Sequence, residues 1–100
     1  MTAFNIVKCR VKEGLQEEFI KINREFEAGI PGRLRALLVK TGDRDFCWIG
    51  EWESLAAMNA AMDTMIGHLD QVRHMLVELS PALGVTDPTS GEAVVEFSSG

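Results

Sequence analysis

One hundred residues with 15 acidic against 10 basic side chains give a net charge of −5, and 46% of the chain is apolar. That length suits one domain with a single core. The acidic balance, with no segment that concentrates Lys and Arg, argues against nucleic acid as a partner. No apolar run reaches the roughly 20 residues that span a bilayer. The N-terminus also lacks the basic-then-apolar layout of a secretory leader. A cytoplasmic protein with no membrane partner is therefore expected. Cys9 and Cys47, both in predicted strands, read as free core thiols of a reducing compartment, and spacing does not say whether they approach each other.

Residues 3–11 alternate as a first strand, with Asn5, Val7, Cys9 and Val11 on one face and Phe4, Ile6, Lys8 and Arg10 on the other. Gly14 then opens a helix whose Leu15, Phe19, Ile22 and Phe26 form one stripe. Gly29, as a left-handed cap, and Pro31 are expected to end it. A second strand over 33–40 turns through Thr41-Gly42-Asp43-Arg44-Asp45 into a third, so the two form a hairpin.

The third strand, Phe46-Cys47-Trp48-Ile49-Gly50-Glu51-Trp52, is the most informative segment. Phe46, Trp48 and Trp52 share a face on which Gly50 leaves a gap, and Ser54 follows directly as a helix N-cap. Such a face lines either a bulky core or a cavity. Helical spacing continues from Ser54 to about Leu79 in two pieces, with the bend expected in the Asp63–Gly67 neighbourhood. Residues 84–91 read as turns. Residues 93–97 read as the last strand, and 98–100 as a frayed tail.

The order β-α-β-β-α-β predicts an α+β, ferredoxin-like sandwich: a four-stranded antiparallel sheet with helices on one face. The strands are apolar or mixed on both sides, so the uncovered face calls for a partner. A homodimer through the sheet faces, closing a dimeric α/β barrel, is expected. Charges of both signs on the strand faces away from the apolar pattern (Lys8, Arg10, Arg33, Arg35, Glu51 and Glu53) are available to pair across it.

Val11-Lys12-Glu13-Gly14 at the first-strand exit, Ile49-Gly50-Glu51-Trp52-Glu53-Ser54 at the third-strand exit and the two-piece second helix carry a family likeness. From Phe4 to Phe97 the chain resembles the antibiotic-biosynthesis-monooxygenase-like domains of the dimeric α/β-barrel superfamily. The resemblance implies one of two chemistries. In the first, an electron-rich phenolic or polyketide-like substrate reduces O₂ itself, without a cofactor. The second is haem degradation, for which the family's strand asparagine, helical tryptophan and helical histidine fall here at Val7, Ala61 and near Gln71. That pattern is not met, although Asn5, His68 and His74 lie nearby. The superfamily's sugar mutarotases use strand histidine and tyrosine, and this chain has no tyrosine.

Single residues keep two readings each. His68 is either a histidine at the solvent edge or a pocket acid/base, a role open to imidazole near neutral pH. His74 reads as exposed. Asn5 either pairs with backbone or orients a phenolate. Trp48 and Trp52, with Met62 and Met65 from a soft methionine surface, are either core or substrate-binding walls. His68 and His74 sit about 120° apart on a helix and no metal-ligand spacing occurs elsewhere, so no metal is expected. The reading that follows is a cofactor-independent monooxygenase for a small aromatic or polyketide-like molecule. His68 and Asn5 would be catalytic, and Trp48, Trp52, Met62 and Met65 substrate-binding. The alternative is a non-catalytic ligand-binding or regulatory barrel protein.

Overall fold

The chain runs β1 (Ala3–Arg10), α1 (Gln16–Arg24), β2 (Arg33–Lys40), β3 (Asp45–Trp52), α2 (Leu55–Ala60), α3 (Met62–Val72), a 3-10 turn (Arg73–Met75) and β4 (Asp87–Glu92). This computed structural model describes residues 1–26 and 29–97; the tail expected at 98–100 lies outside them. All neighbouring strands pair antiparallel in the order β2-β3-β1-β4. This is the ferredoxin-like α+β fold that the element order predicts. Among the described residues no helix is long and apolar enough to cross a membrane.

Pairing register converts the strand alternation into two faces. On the helix side the strands line up as rows across the sheet. The outermost are Arg33–Trp52–Ala3 and Lys40–Phe46–Cys9. Between them lie Ala36–Gly50–Asn5–Ser90 and Leu38–Trp48–Val7–Pro88. The opposite face carries Arg35–Glu51–Phe4, Leu37–Ile49–Ile6 and Val39–Cys47–Lys8. Cys9 and Cys47 therefore leave opposite faces of the sheet, and both are free thiols.

The core is divided accordingly. At one end Cys9, Val11, Phe19, Phe46, Val72, Met75 and Leu76 pack together. At the other, Ala3, Ile30, Trp52, Met58 and Ala61 form a second cluster. No residue of the two middle rows is among the buried members of either cluster, although Leu38 and Trp48 pack against the first, and Asn5, Val7 and Trp48 are only half-buried.

Several boundaries differ from the sequence reading, each for a physical reason. The first helix starts at Gln16, not Gly14, because Gly14 takes the left-handed φ of 86° in a turn closed by the Leu15 N–H donating to the Lys12 carbonyl. It ends at Arg24 with Glu25 as a right-handed cap, so Gly29 is not its left-handed stop. The second helical region breaks at Ala61 rather than at Asp63–Gly67. The Ala61 N–H is shared between the Ala57 and Met58 carbonyls, and its small side chain is buried in the Trp52 cluster. Helical structure stops at Met75, not Leu79: Leu76 bridges to Val11 and the Val77 N–H donates to the Arg10 carbonyl.

The last strand is Asp87–Glu92, the segment expected to be turns, while residues 93–97 lie outside any strand with Val94 and Phe97 exposed. Pro88 is accommodated because β4 is an edge strand, where a missing N–H breaks no ladder. Arg33 and Arg35, expected on one face, lie on different ones. A bulge between them shifts the register and turns Arg33 to the helix side.

Candidate functional site

The two middle rows form the floor of a cavity of about 680 Å³ between the sheet and the α2–α3 region. Its roof comes from Met58, Met62, Met65, Ile66, His68 and Leu69, and the end of α1 adds Asn23, Arg24 and Phe26 at one side. The cavity exists because Trp52 and Phe46 fill the outer rows while one of the two middle rows carries no bulky side chain. Ala36, Gly50, Asn5 and Ser90 across one middle row leave room above the sheet.

Gly50 sets the geometry of the floor. A Cβ there would collide with Asn5 Oδ1 and come within 2.8 Å of Trp52 Nε1. Without it, the indole N–H of Trp52 donates to Asn5 Oδ1 at 2.6 Å. An indole N–H can only donate, so this bond fixes which end of the Asn5 amide faces the core. The amide nitrogen is left toward the helix side, where Nδ2 sits 3.7 Å from Met65 Sδ. Trp48 is held the same way. Its N–H donates to Asn23 Oδ1 at 2.8 Å, and Asn23 Nδ2 donates to the Phe19 carbonyl at 2.8 Å. The Trp48 ring also tilts against Phe19, 5.6 Å between centroids. On the roof, His68 stacks nearly parallel on Phe26, with centroids 4.6 Å apart and planes 10° from coplanar.

All six residues singled out from the sequence border this one cavity: Asn5, Trp48, Trp52, Met62, Met65 and His68. Their exposures differ. Trp52 has no accessible surface and backs the wall from behind Asn5, whereas Trp48 and His68 are half-buried and Met62 is 43% exposed. His74 is exposed in the 3-10 turn, outside the lining. The sequence reading gave no site role to Asn23, Arg24, Phe26 or Arg33. Asn23 and Phe26 lie on or just beyond the helix whose spacing was legible, so an amide beside the apolar stripe was the available signal. Arg33 gave none, because the bulge that turns it inward contains no glycine. Burial disfavours the charged form of Arg33 and lowers its pKa. Among the described residues no group of three or more His, Cys, Asp or Glu side chains is placed to hold a metal.

No protein-family model and no curated protein matches the chain. Solved structures do. SnoaB, a cofactor-independent oxygenase from Streptomyces nogalater, superposes at TM-score 0.75 with 17% identity over 96% of each chain. An antibiotic biosynthesis monooxygenase-like protein from Chloroflexus aurantiacus gives 0.73 with 15% identity over 100% of both. A dimeric ferredoxin-like protein from an uncultured marine organism gives 0.76 with 14% identity over 99% of this chain and 93% of that one. The class defined by fold and cavity is thus a ferredoxin-like α+β protein with a ligand-sized space over its sheet. Within that class the chain has the fold of the antibiotic-biosynthesis-monooxygenase-like proteins, as the strand-exit motifs suggested.

Proposed function

We propose that the protein is a cofactor-independent monooxygenase for a small, electron-rich aromatic or polyketide-like substrate, working as a homodimer. The observation that carries this reading is the cavity itself: about 680 Å³, mostly apolar, with a few polar groups converging on it. SnoaB, with the same fold, is a cofactor-independent oxygenase.

The chemistry asks little of the protein. Oxidising a ring methylene to a carbonyl releases four electrons, and O₂ takes up four when one oxygen enters the product and the other leaves as water. The substrate is its own reductant once a proton has been removed. His68, stacked on Phe26 at the cavity roof, is the proposed proton acceptor. Asn5, its oxygen pinned by Trp52, offers an amide N–H to the developing enolate or phenolate. Trp48, Met62 and Met65 supply apolar walls for the ring. Cytosolic residence accords with the free thiols.

The test is oxygen consumption by purified protein with anthrones and hydroquinones, without added flavin, haem or metal. Protein-dependent uptake with a quinone product is expected. His68→Ala should cut the rate by about 10²–10⁴-fold while leaving the assembly state unchanged. Turnover near the wild-type rate in that variant would remove His68 from the mechanism. One observation favours the alternative of a non-catalytic ligand-binding protein: the Asn5 oxygen and the Trp48 N–H are already satisfied by Trp52 and Asn23. Saturable ligand binding without oxygen uptake across the panel would decide for it.

A further inference from the structure

Residues 93–97, Ala-Val-Val-Glu-Phe, have the composition of a strand and no place in their own sheet. The Ala93 N–H still donates to the Thr2 carbonyl at 2.9 Å. Beyond that bond Val94, Val95 and Phe97 are 79%, 66% and 89% exposed. β-Branched and aromatic side chains suit a pleated, half-buried surface, and here no part of the same chain covers them. At the opposite edge of the sheet β2 has the complementary need. It runs for eight residues, Arg-Leu-Arg-Ala-Leu-Leu-Val-Lys, without a proline, and its Leu34, Leu37 and Val39 are exposed. An edge strand of this kind directs alternate N–H and C=O groups away from the sheet, a template for one more strand.

We infer that residues 93–97 of one protomer add to β2 of a second copy as a fifth strand, each copy giving and receiving one segment. This rests on the proposed homodimer and not on the oxygenase chemistry. The added strand is continuous with the sheet-face contact, because Leu37 and Val39 of β2 already belong to that face. A chain cannot serve its own β2 in this way. Both β1 and β3 lie between β4 and β2, a crossing of about 14 Å at the usual strand spacing, which nearly exhausts the ~17 Å reach of five extended residues. Charge and composition choose between the two edges. The charged side chains of β2, Arg33, Arg35 and Lys40, are all basic, and even with Glu51 opposite Arg35 the strand stays positive toward Glu96 of the segment. The other edge, β4, carries Asp87 and Glu92, which repel Glu96, and Pro88, which withholds a ladder donor. The basic side chains of β2 likewise oppose its pairing with another β2. Ala36, Leu37 and Leu38 of β2 border the cavity, so the fifth strand extends the cavity floor with residues of the second copy.

The experiment compares the full chain with a variant ending at Ala93 and with Val95→Asp, by sedimentation equilibrium and by amide hydrogen exchange. Neither change touches a residue of the two core clusters, and the Ala93–Thr2 hydrogen bond survives both. The full chain is expected to be a dimer in which alternate β2 amides, those directed away from β3, exchange slowly. Both variants should raise the dimer Kd at least about tenfold and release those amides, while the amides paired between β1 and β3 stay protected. In a mixture of isotope-labelled and unlabelled full chains, filtered nuclear Overhauser contacts should join Val94–Phe97 of one copy to β2 of the other. A full-chain dimer whose Kd and β2 exchange are unchanged in both variants overturns the inference and leaves the sheet-face dimer standing. A full chain that sediments as a monomer overturns both. Filtered contacts that place the segment on β4 or on the open sheet face of the other copy overturn the inference as well.

Discussion

Gly50 shows how an absent side chain specifies a site. It stands opposite Asn5 in the β1–β3 ladder, and the space over its Cα holds the Trp52–Asn5 hydrogen bond. Gly50→Ala puts a methyl group where that bond runs. It should destabilise the fold by about 1–3 kcal/mol, the usual range for overpacking. Urea titration measures the loss, and an unchanged midpoint would show that the wall yields without cost. Cys9 makes a second prediction. Burial first, then the neighbouring Cys47 and Asp45, push its thiol up to about 12 from an ordinary 9.0. Above about pH 9 the unfolded chain gives up this proton while the folded one keeps it. Stability is therefore intact below that pH and falls as pH rises toward 12, by at most about 1.4 kcal/mol per pH unit. Cys9→Ala should flatten the slope of stability between about pH 8 and pH 11 relative to wild type. An unaltered slope would place the linkage elsewhere.

Elements whose signals are local were legible in the sequence. The Thr41–Asp45 turn, the aromatic alternation of β3 and the Ser54 cap are each decided within a few residues. The structure keeps all three, with Ser54 Oγ accepting from the Ala57 N–H at 3.1 Å. Elements fixed by distant partners were not. Asp87–Glu92 has the composition of a turn, yet it pairs with β1 from Lys8 to Ala3 because an edge position tolerates Pro88 and Gly91. Val94-Val95-Glu96-Phe97 has the better strand composition and remains outside the sheet. The helical break followed packing at Ala61 rather than the intrinsic weakness of Gly67, which lies within α3. The candidate site was legible wherever it rested on strand alternation, as with Asn5, Trp48 and Trp52. It was illegible at Arg33, where one inserted residue changes the face.

At the scale of the molecule, the uncovered side of the sheet centres on the Leu37–Ile49–Ile6 row, flanked by Phe4 and Val39 and edged by Arg35, Glu51 and Lys8. Leu37 is 41% and Val39 37% exposed in the single chain. An apolar stripe with a charged rim has the composition of an interface. Leu37→Asp should convert the proposed dimer to a monomer in sedimentation velocity while leaving the fold intact, since that side chain supports neither core cluster. A wild-type protein that sediments as a monomer would remove the dimer.

The division of the core also bears on how such a protein changes over generations. The clusters at the two ends of the sheet hold the chain together, and the rows between them, which floor the cavity, reach those clusters only at Leu38, Trp48 and Asn5. Substitutions at the exposed middle-row positions Ala36 and Ser90 are therefore separated from those that keep the domain folded and should combine almost independently with changes in either cluster. Asn5 and Trp48, by contrast, are coupled to Trp52 and Phe19. Such a molecule can change the shape of its cavity at those exposed positions without first risking its fold. That separability is a physical reason for a single scaffold to acquire many specificities.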